Sequence, residues 1–275
     1  MPSQPSFLSS SLRIFDLSLG QMLWSRRTVF MALVVGGPVL IAVILAIVDA
    51  VGSGGMQVNG VRLQGGAIFG MMIWIFYLRF TVPVLAVFYG TGLIADEVDD
   101  KTITYLFTRP IPKGAVLMGK YLAYLACTTM VVLPSVTIVY LLVVPRGGSL
   151  AESFPSLVKD LGILFLGLAV YGALFACIGA WLKRSVLTGL VFVFGWEPVI
   201  LVVPGYLKKF TVAYYLQALV PHAMPADSSA VSILTSLFRD APTFGTAVVM
   251  LSMLLAVFLT LAARLVDRRE YVLEQ

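Results

Sequence analysis

Two ionisable side chains, Arg79 and Glu197, interrupt stretches that are otherwise almost wholly apolar. A charge surrounded by hydrocarbon is expensive, so such residues turn toward a polar cavity, pair with one another, or mark a pathway for ions or substrate. Counting ~1.5 Å per residue from the charged end of each stretch, Arg79 lies roughly 24 Å along its helix and Glu197 roughly 18 Å along its own. Both therefore fall in the same half of a hydrocarbon core ~30 Å thick, and a long arginine can span the difference. The spacing admits a charge pair. It equally admits Arg79 snorkelling to the head groups while Glu197 sits at a water-filled end. Pro198 is expected to bend the helix just after Glu197.

A second concentration of charge is the stretch 96–121, the one long polar segment between two apolar ones. It opens with four carboxylates in five residues, Asp96, Glu97, Asp99 and Asp100. The single histidine, His222, falls on the opposite side of the membrane and cannot join them, so no metal site is assigned. They read as groups that solvate the segment near the N-terminus of a short helix, where the dipole favours negative charge. They are also available as salt-bridge partners for a basic surface. Ile103, Leu106 and Phe107 follow at i, i+3 and i+4, one apolar face of that helix. Pro110 and Pro112 end it, since proline removes a donor and pushes its predecessor out of α geometry. This face has no membrane to enter and must bury against another surface, so the segment suits a partner that grips and moves it.

Two other patterns carry no chemistry. The run from Gly114 to Gly119-Lys120-Tyr121 nearly spells the phosphate-binding sequence G-x-x-x-x-G-K-S/T. Tyr121 replaces the hydroxyl that would hold magnesium, and the run opens a membrane helix rather than following a strand. Any nucleotide would have to be held by a separate chain. No serine–histidine–aspartate set, CxxC pair or HExxH occurs, so no catalytic residues and no cofactor are assigned. Cys127 and Cys177 sit at depths differing by roughly 13 Å, too far apart for a disulfide.

The elements that must position these residues follow from composition. Of 275 residues, 59% are hydrophobic and 12% charged, and mean hydropathy is +0.96. Soluble domains carry roughly 25% charged residues, so an ordinary globular protein is excluded. The reading is an all-α polytopic membrane protein. The formal charge of +5 is better read by location than as a sign of nucleic-acid binding.

Residues 8–24 alternate Leu8, Leu12, Phe15, Leu19 and Met22 with Ser9, Ser11, Arg13, Asp16, Ser18 and Gln21, the pattern of an amphipathic helix lying in the membrane interface. Trp24, Arg26 and Arg27 anchor its exit. Six spans follow, at 29–48, 67–95, 115–144, 161–182, 186–203 and 244–266. The first is too long for the apolar region of a signal peptide, and Gly36-Gly37-Pro38 is expected to kink it. Residues 145–160 read as an outer loop, and 204–243 as a longer one. Gly172, Ala176 and Ala180, with Ala169 and Ala173 beside them, give the fourth span a small-residue face for close helix packing, within the chain or between subunits.

Charge bias sets the orientation. One side collects twelve cations: Arg13, Arg26, Arg27, Lys101, Arg109, Lys113, Lys120, Lys183, Arg184, Arg264, Arg268 and Arg269. The other collects six: Arg62, Arg146, Lys159, Lys208, Lys209 and Arg239. Both termini and the 96–121 segment are therefore expected in the cytoplasm.

These features resemble the type-2 ATP-binding-cassette permeases, the six-span membrane subunits of bacterial exporters. The resemblance rests on the acidic turn after the second span, the Thr- and Leu-containing helix beyond it, and Pro110-Ile111-Pro112-Lys113 followed by Lys120. It extends to Trp181-Leu182-Lys183-Arg184-Ser185, then Phe194-Gly195-Trp196-Glu197, then Pro204-Gly205-Tyr206-Leu207-Lys208-Lys209-Phe210-Thr211, and to the elbow-like N-terminal helix. It implies a permease in the bacterial cytoplasmic membrane, paired with a second copy or a sister permease. Two cytoplasmic ATPase subunits would bind the ATP. Residues 96–109 would be the coupling helix, with Asp96, Glu97, Asp99, Asp100, Thr102, Ile103, Thr104, Leu106, Phe107 and Arg109 meeting the ATPase. Residues 204–243 would form outer half-helices, and Lys120 would snorkel to the cytoplasmic head groups. The alternatives are a secondary transporter switched by Arg79 and Glu197, or an ATP-driven mechanical complex without a translocation pore.

Overall fold

A computed structural model of the chain describes residues 7–51, 57–58, 61–62, 65–99, 113–145, 148–202, 206–220 and 242–268. Among these residues the regular structure is helical, apart from a two-residue hairpin rung in which Gln57–Val58 (β1) pairs antiparallel with Val61–Arg62 (β2). Among the described residues, five helices are long and apolar enough to cross a bilayer: Arg27–Val51, Gly65–Asp96, Lys113–Val143, Leu150–Trp181 and Phe244–Asp267. A sixth apolar helix, Ser185–Leu201, is shorter. At ~1.5 Å per residue it reaches about 26 Å, a little under the ~30 Å of an average hydrocarbon core. The protein is an all-α polytopic membrane protein.

The N-terminal helix α1 (Phe7–Leu23) packs on α6 (Lys113–Val143) through a face that its apolar periodicity did not single out. Ser10, Ser11 and Ser18 are buried, whereas Leu8 and Leu12 are 74% and 60% exposed. The small hydroxyl residues let the two backbones meet. A Cβ on Gly119 would lie 2.6 Å from the Ser11 carbonyl oxygen, and Ser11 Oγ donates to the Ala115 carbonyl at 3.3 Å. Leu8 and Leu12 thus face away from the chain, while the serine stripe makes the protein contact together with Leu19 and Met22 farther along the helix. Lys120, one residue beyond Gly119, is buried at 9% exposure rather than reaching out to head groups.

The second membrane helix runs as a chain of segments: α3 (Gly65–Met72), a π-helical stretch Ile73–Thr81, α4 (Val82–Leu85), a second π stretch Ala86–Gly90, and α5 (Gly92–Asp99). Its widening has a local cause. Val82 N–H donates to the Tyr77 carbonyl, five residues back, immediately before Pro83, which has no N–H to continue an α ladder. The fifth helix repeats the device. It comprises α8 (Ser185–Val191), the π stretch Phe192–Trp196 and α9 (Glu197–Val202). Glu197 N–H donates to the Phe192 carbonyl, immediately before Pro198.

Two bounds differ from the sequence reading. The helix holding the fourth span, α7, is Leu150–Trp181, so most of the expected outer loop at 145–160 is helical. Ser149 precedes it in extended geometry, and Glu152 in the first turn complements the dipole. The second difference is at the acidic stretch. Asp96, Glu97 and Asp99 continue the second membrane helix at its C-terminal end, rather than opening a new helix whose dipole would favour them.

The core is the contact of the second membrane helix and α7, each 67% buried along its most apolar stretch, against 28% for α2 (Arg26–Val51) and 17% for α11 (Phe244–Arg268). The small-residue face of α7 makes that contact and the neighbouring one with α6. A Cβ on Gly179 would lie 2.3 Å from the Thr91 carbonyl oxygen, and one on Gly172 would lie 2.1 Å from the Tyr124 ring. Tyr121 and Tyr124 each donate, at 2.9 Å, to carbonyls of α7, those of Ala169 and Leu168. The stripe is therefore an internal packing seam. Cys127 and Cys177 are both free and buried.

Candidate functional site

The two proline-broken helices face each other across a cavity of about 230 Å³. Pro83 and Pro198 both line it, as do Arg79, Glu197, Tyr171 of α7 and Ala213 of the short outer helix α10 (Val212–Leu219). The two intramembrane ionisable residues singled out in the sequence thus line one cavity, each close to the proline that interrupts its helix.

Their contacts differ from a simple pair. Glu197 is 4% exposed, and its carboxylate is taken by donors from two other elements. Tyr171 Oη donates to Oε2 at 2.6 Å, and the Ala213 N–H donates to Oε1 at 3.3 Å. The second bond satisfies an N–H in the first turn of α10, one that has no partner inside its own helix. Glu197 therefore ties α7, α9 and α10 together. Arg79 forms no hydrogen bond or ion pair among the described residues; its guanidinium carbon stands 5.4 Å from the centroid of the Trp74 ring. Such a cation–π contact is worth ~0.5–2 kcal/mol. Arg79 and Glu197 thus share a cavity without touching. Tyr171 and Ala213 were not singled out in the sequence. A tyrosine in a membrane span is the signal that was available, since its hydroxyl needs a partner when buried.

At the other end of the second membrane helix, Asp96 makes a bidentate ion pair with Arg27, at 2.5 and 2.8 Å. The two residues cap adjacent antiparallel helices, α2 and α5. Asp96 thus has a partner within the chain, in a pair that is itself part-exposed. Gly92 lies beneath the pair, where a Cβ would meet both Arg27 and Asp96 side-chain atoms. The side chains of Glu97 and Asp99, and the whole of Asp100, Thr102, Ile103, Thr104, Leu106, Phe107 and Arg109, lie outside the described residues, as does His222.

This arrangement, apolar helices carrying an acidic segment at one end and a short helix at the other, coincides with a family profile. The profile described as "ABC-2 family transporter protein" matches residues 22–196. The chain belongs to that family. Among curated proteins none matches it. As an ABC-2 permease it is the multi-pass, non-catalytic membrane subunit of an ABC transporter, and permeases of this family generally work with a cytoplasmic ATPase. The match includes the acidic segment, the π stretches and Glu197's approach, and stops one residue short of Glu197. Of the cavity's walls, the second membrane helix, α7 and the Phe192–Trp196 stretch fall within the matched range, while α9, α10 and α11 lie beyond it.

Proposed function

We propose that the chain is the permease of an ATP-driven exporter in a bacterial cytoplasmic membrane, with both termini inside. It works as a dimer, with itself or a sister permease, on two cytoplasmic ATPase subunits. The observation that carries the reading is the continuous helix from the cavity down to Asp99, fixed at its foot by Arg27–Asp96. Residues 100–112 follow that foot in sequence. A push delivered there by an ATPase closing on ATP would move α5 and α2 together, because the ion pair joins them. The displacement would travel up the helix to Pro83 and the cavity. There Glu197 links α7, α9 and the outer helix α10, so the same motion would reach the outer end. Rocking of this kind needs no chemistry in the permease itself; the ATPase binds and hydrolyses the nucleotide.

The secondary-transporter alternative required Arg79 and Glu197 to act as one ionisable switch. Nothing in the contacts favours it, since Glu197 is held by Tyr171 and Ala213. The mechanical-complex alternative shares the same coupling and differs only in what is moved. The test is a pull-down of the co-expressed ATPase together with ATP-dependent uptake into inverted vesicles. Burying Ile103, Leu106 and Phe107 in a partner can supply roughly 1.5–3 kcal/mol each. Leu106→Asp or Phe107→Asp should therefore release the ATPase while the permease stays monodisperse in detergent. Full association and full transport in both variants would refute the coupling role.

A further inference from the structure

Arg79 brings a guanidinium to the cavity with no counter-ion in contact among the described residues. Glu197, the acidic group on the opposite wall, has its two oxygens engaged by Tyr171 and Ala213. The rest of the wall is apolar, including Leu78, Val193 and Leu201. The rim is made by Phe80 and Phe194, one from each proline-broken helix, with ring centroids 6.2 Å apart. Both rings are exposed, at 42% and 52%, as rings bordering acyl chains would be. Counted from Asp96, Arg79 stands ~25 Å along the helix, just inside the far boundary of a ~30 Å core. A cation there is costly unless something anionic meets it. The planar fork of arginine matches phosphate and carboxylate oxygens in particular.

We propose that this cavity is a lateral site for the anionic head group of a membrane amphiphile, recognised by Arg79, with its hydrocarbon chain leaving over the exposed faces of the contacting Phe80 and Phe194 rings. The volume suits a compact phosphate or carboxylate head group with its first methylenes. A soluble anion would have to abandon water for apolar walls, whereas a lipid's head group and chain both find their match. The proposal concerns binding alone and does not depend on the coupling to an ATPase.

The experiment uses the purified full chain in mixed micelles, titrated with phosphatidylglycerol, with phosphatidylcholine, or with inorganic phosphate alone. Binding is read by native mass spectrometry and by thermal stabilisation. Phosphatidylglycerol should bind saturably, phosphatidylcholine weakly, and inorganic phosphate should neither bind nor compete. Arg79→Gln should weaken phosphatidylglycerol binding about 10- to 100-fold, the loss expected for a charge-assisted bond. Arg79→Lys should fall between, keeping the charge without the fork. Lys113→Gln, at the opposite end of the membrane, should change nothing at this site. Should Arg79→Gln fail to fold, Ala213→Leu fills the cavity while leaving Arg79 in place and should cause a comparable loss. Unchanged phosphatidylglycerol affinity in Arg79→Gln or Ala213→Leu overturns the proposal. Equal stabilisation by inorganic phosphate overturns the lipid assignment.

Discussion

The Glu197 tether can be separated from a Glu197–Arg79 pair by mutant cycles. Tyr171→Phe deletes one hydrogen bond to a charged acceptor, a loss of ~1.5–3 kcal/mol. Glu197→Ala deletes the acceptor and orphans two donors, Tyr171 Oη–H and the Ala213 N–H. Each unsatisfied buried donor costs ~1–3 kcal/mol, so the expected loss is roughly 2–6 kcal/mol. The 3.3 Å length of the Ala213 bond points to the lower half of that range. In Tyr171→Phe with Glu197→Ala, phenol and acceptor disappear together, and the double variant should lose less than the sum of the singles by ~1–2 kcal/mol. Arg79→Ala with Glu197→Ala should show a smaller coupling than the Tyr171–Glu197 pair, because the two share no direct contact and act on each other only across the cavity. The assay is reversible unfolding in mixed micelles by titration with a denaturing detergent, followed by circular dichroism for all singles and both doubles. The reasoning is refuted if the Arg79–Glu197 coupling equals or exceeds that of Tyr171–Glu197. In that case the arginine, and not the tyrosine, holds the carboxylate.

Two further predictions test the packing and the orientation. Gly179→Ala puts a methyl 2.3 Å from the Thr91 carbonyl oxygen, a backbone atom that cannot rotate away; overpacking of this kind costs ~1–3 kcal/mol or more. It should lower the melting temperature sharply, whereas Gly162→Ala on the same helix meets nothing within 4 Å and should be neutral, so equal effects would deny the seam. Single cysteines at Lys113 and Lys209 should label from opposite faces of intact cells, with little background because Cys127 and Cys177 are buried. Labelling of both by one impermeant reagent would overturn the six-span orientation.

What the sequence disclosed and what it hid divide along a physical line. Apolar runs long enough to span a bilayer, and the all-α fold they imply, were legible because hydropathy acts locally and additively along the chain. The shared location of Arg79 and Glu197 was legible for the same reason, since depth follows from counting residues. Partnership was not. Tyr171 and Ala213 reach Glu197 from helices whose rotation about their own axes is set by neighbouring helices, and a depth count is blind to rotation. The serine face of α1 misled in a related way. In water, serine on one side of an amphipathic helix reads as the wet side, but between membrane helices small residues are what permits close approach. Here Ser11 meets Gly119, and Leu8 and Leu12 face outward. The acidic run gave the opposite error. Four neighbouring carboxylates suggested a start to a new helix, yet the Arg27–Asp96 pair lets the existing helix run on to Asp99 despite its unfavourable dipole end. That extension bears on the proposed coupling, because a helix that runs on from the cavity to Asp99 can carry a push that a turn at Asp96 would absorb.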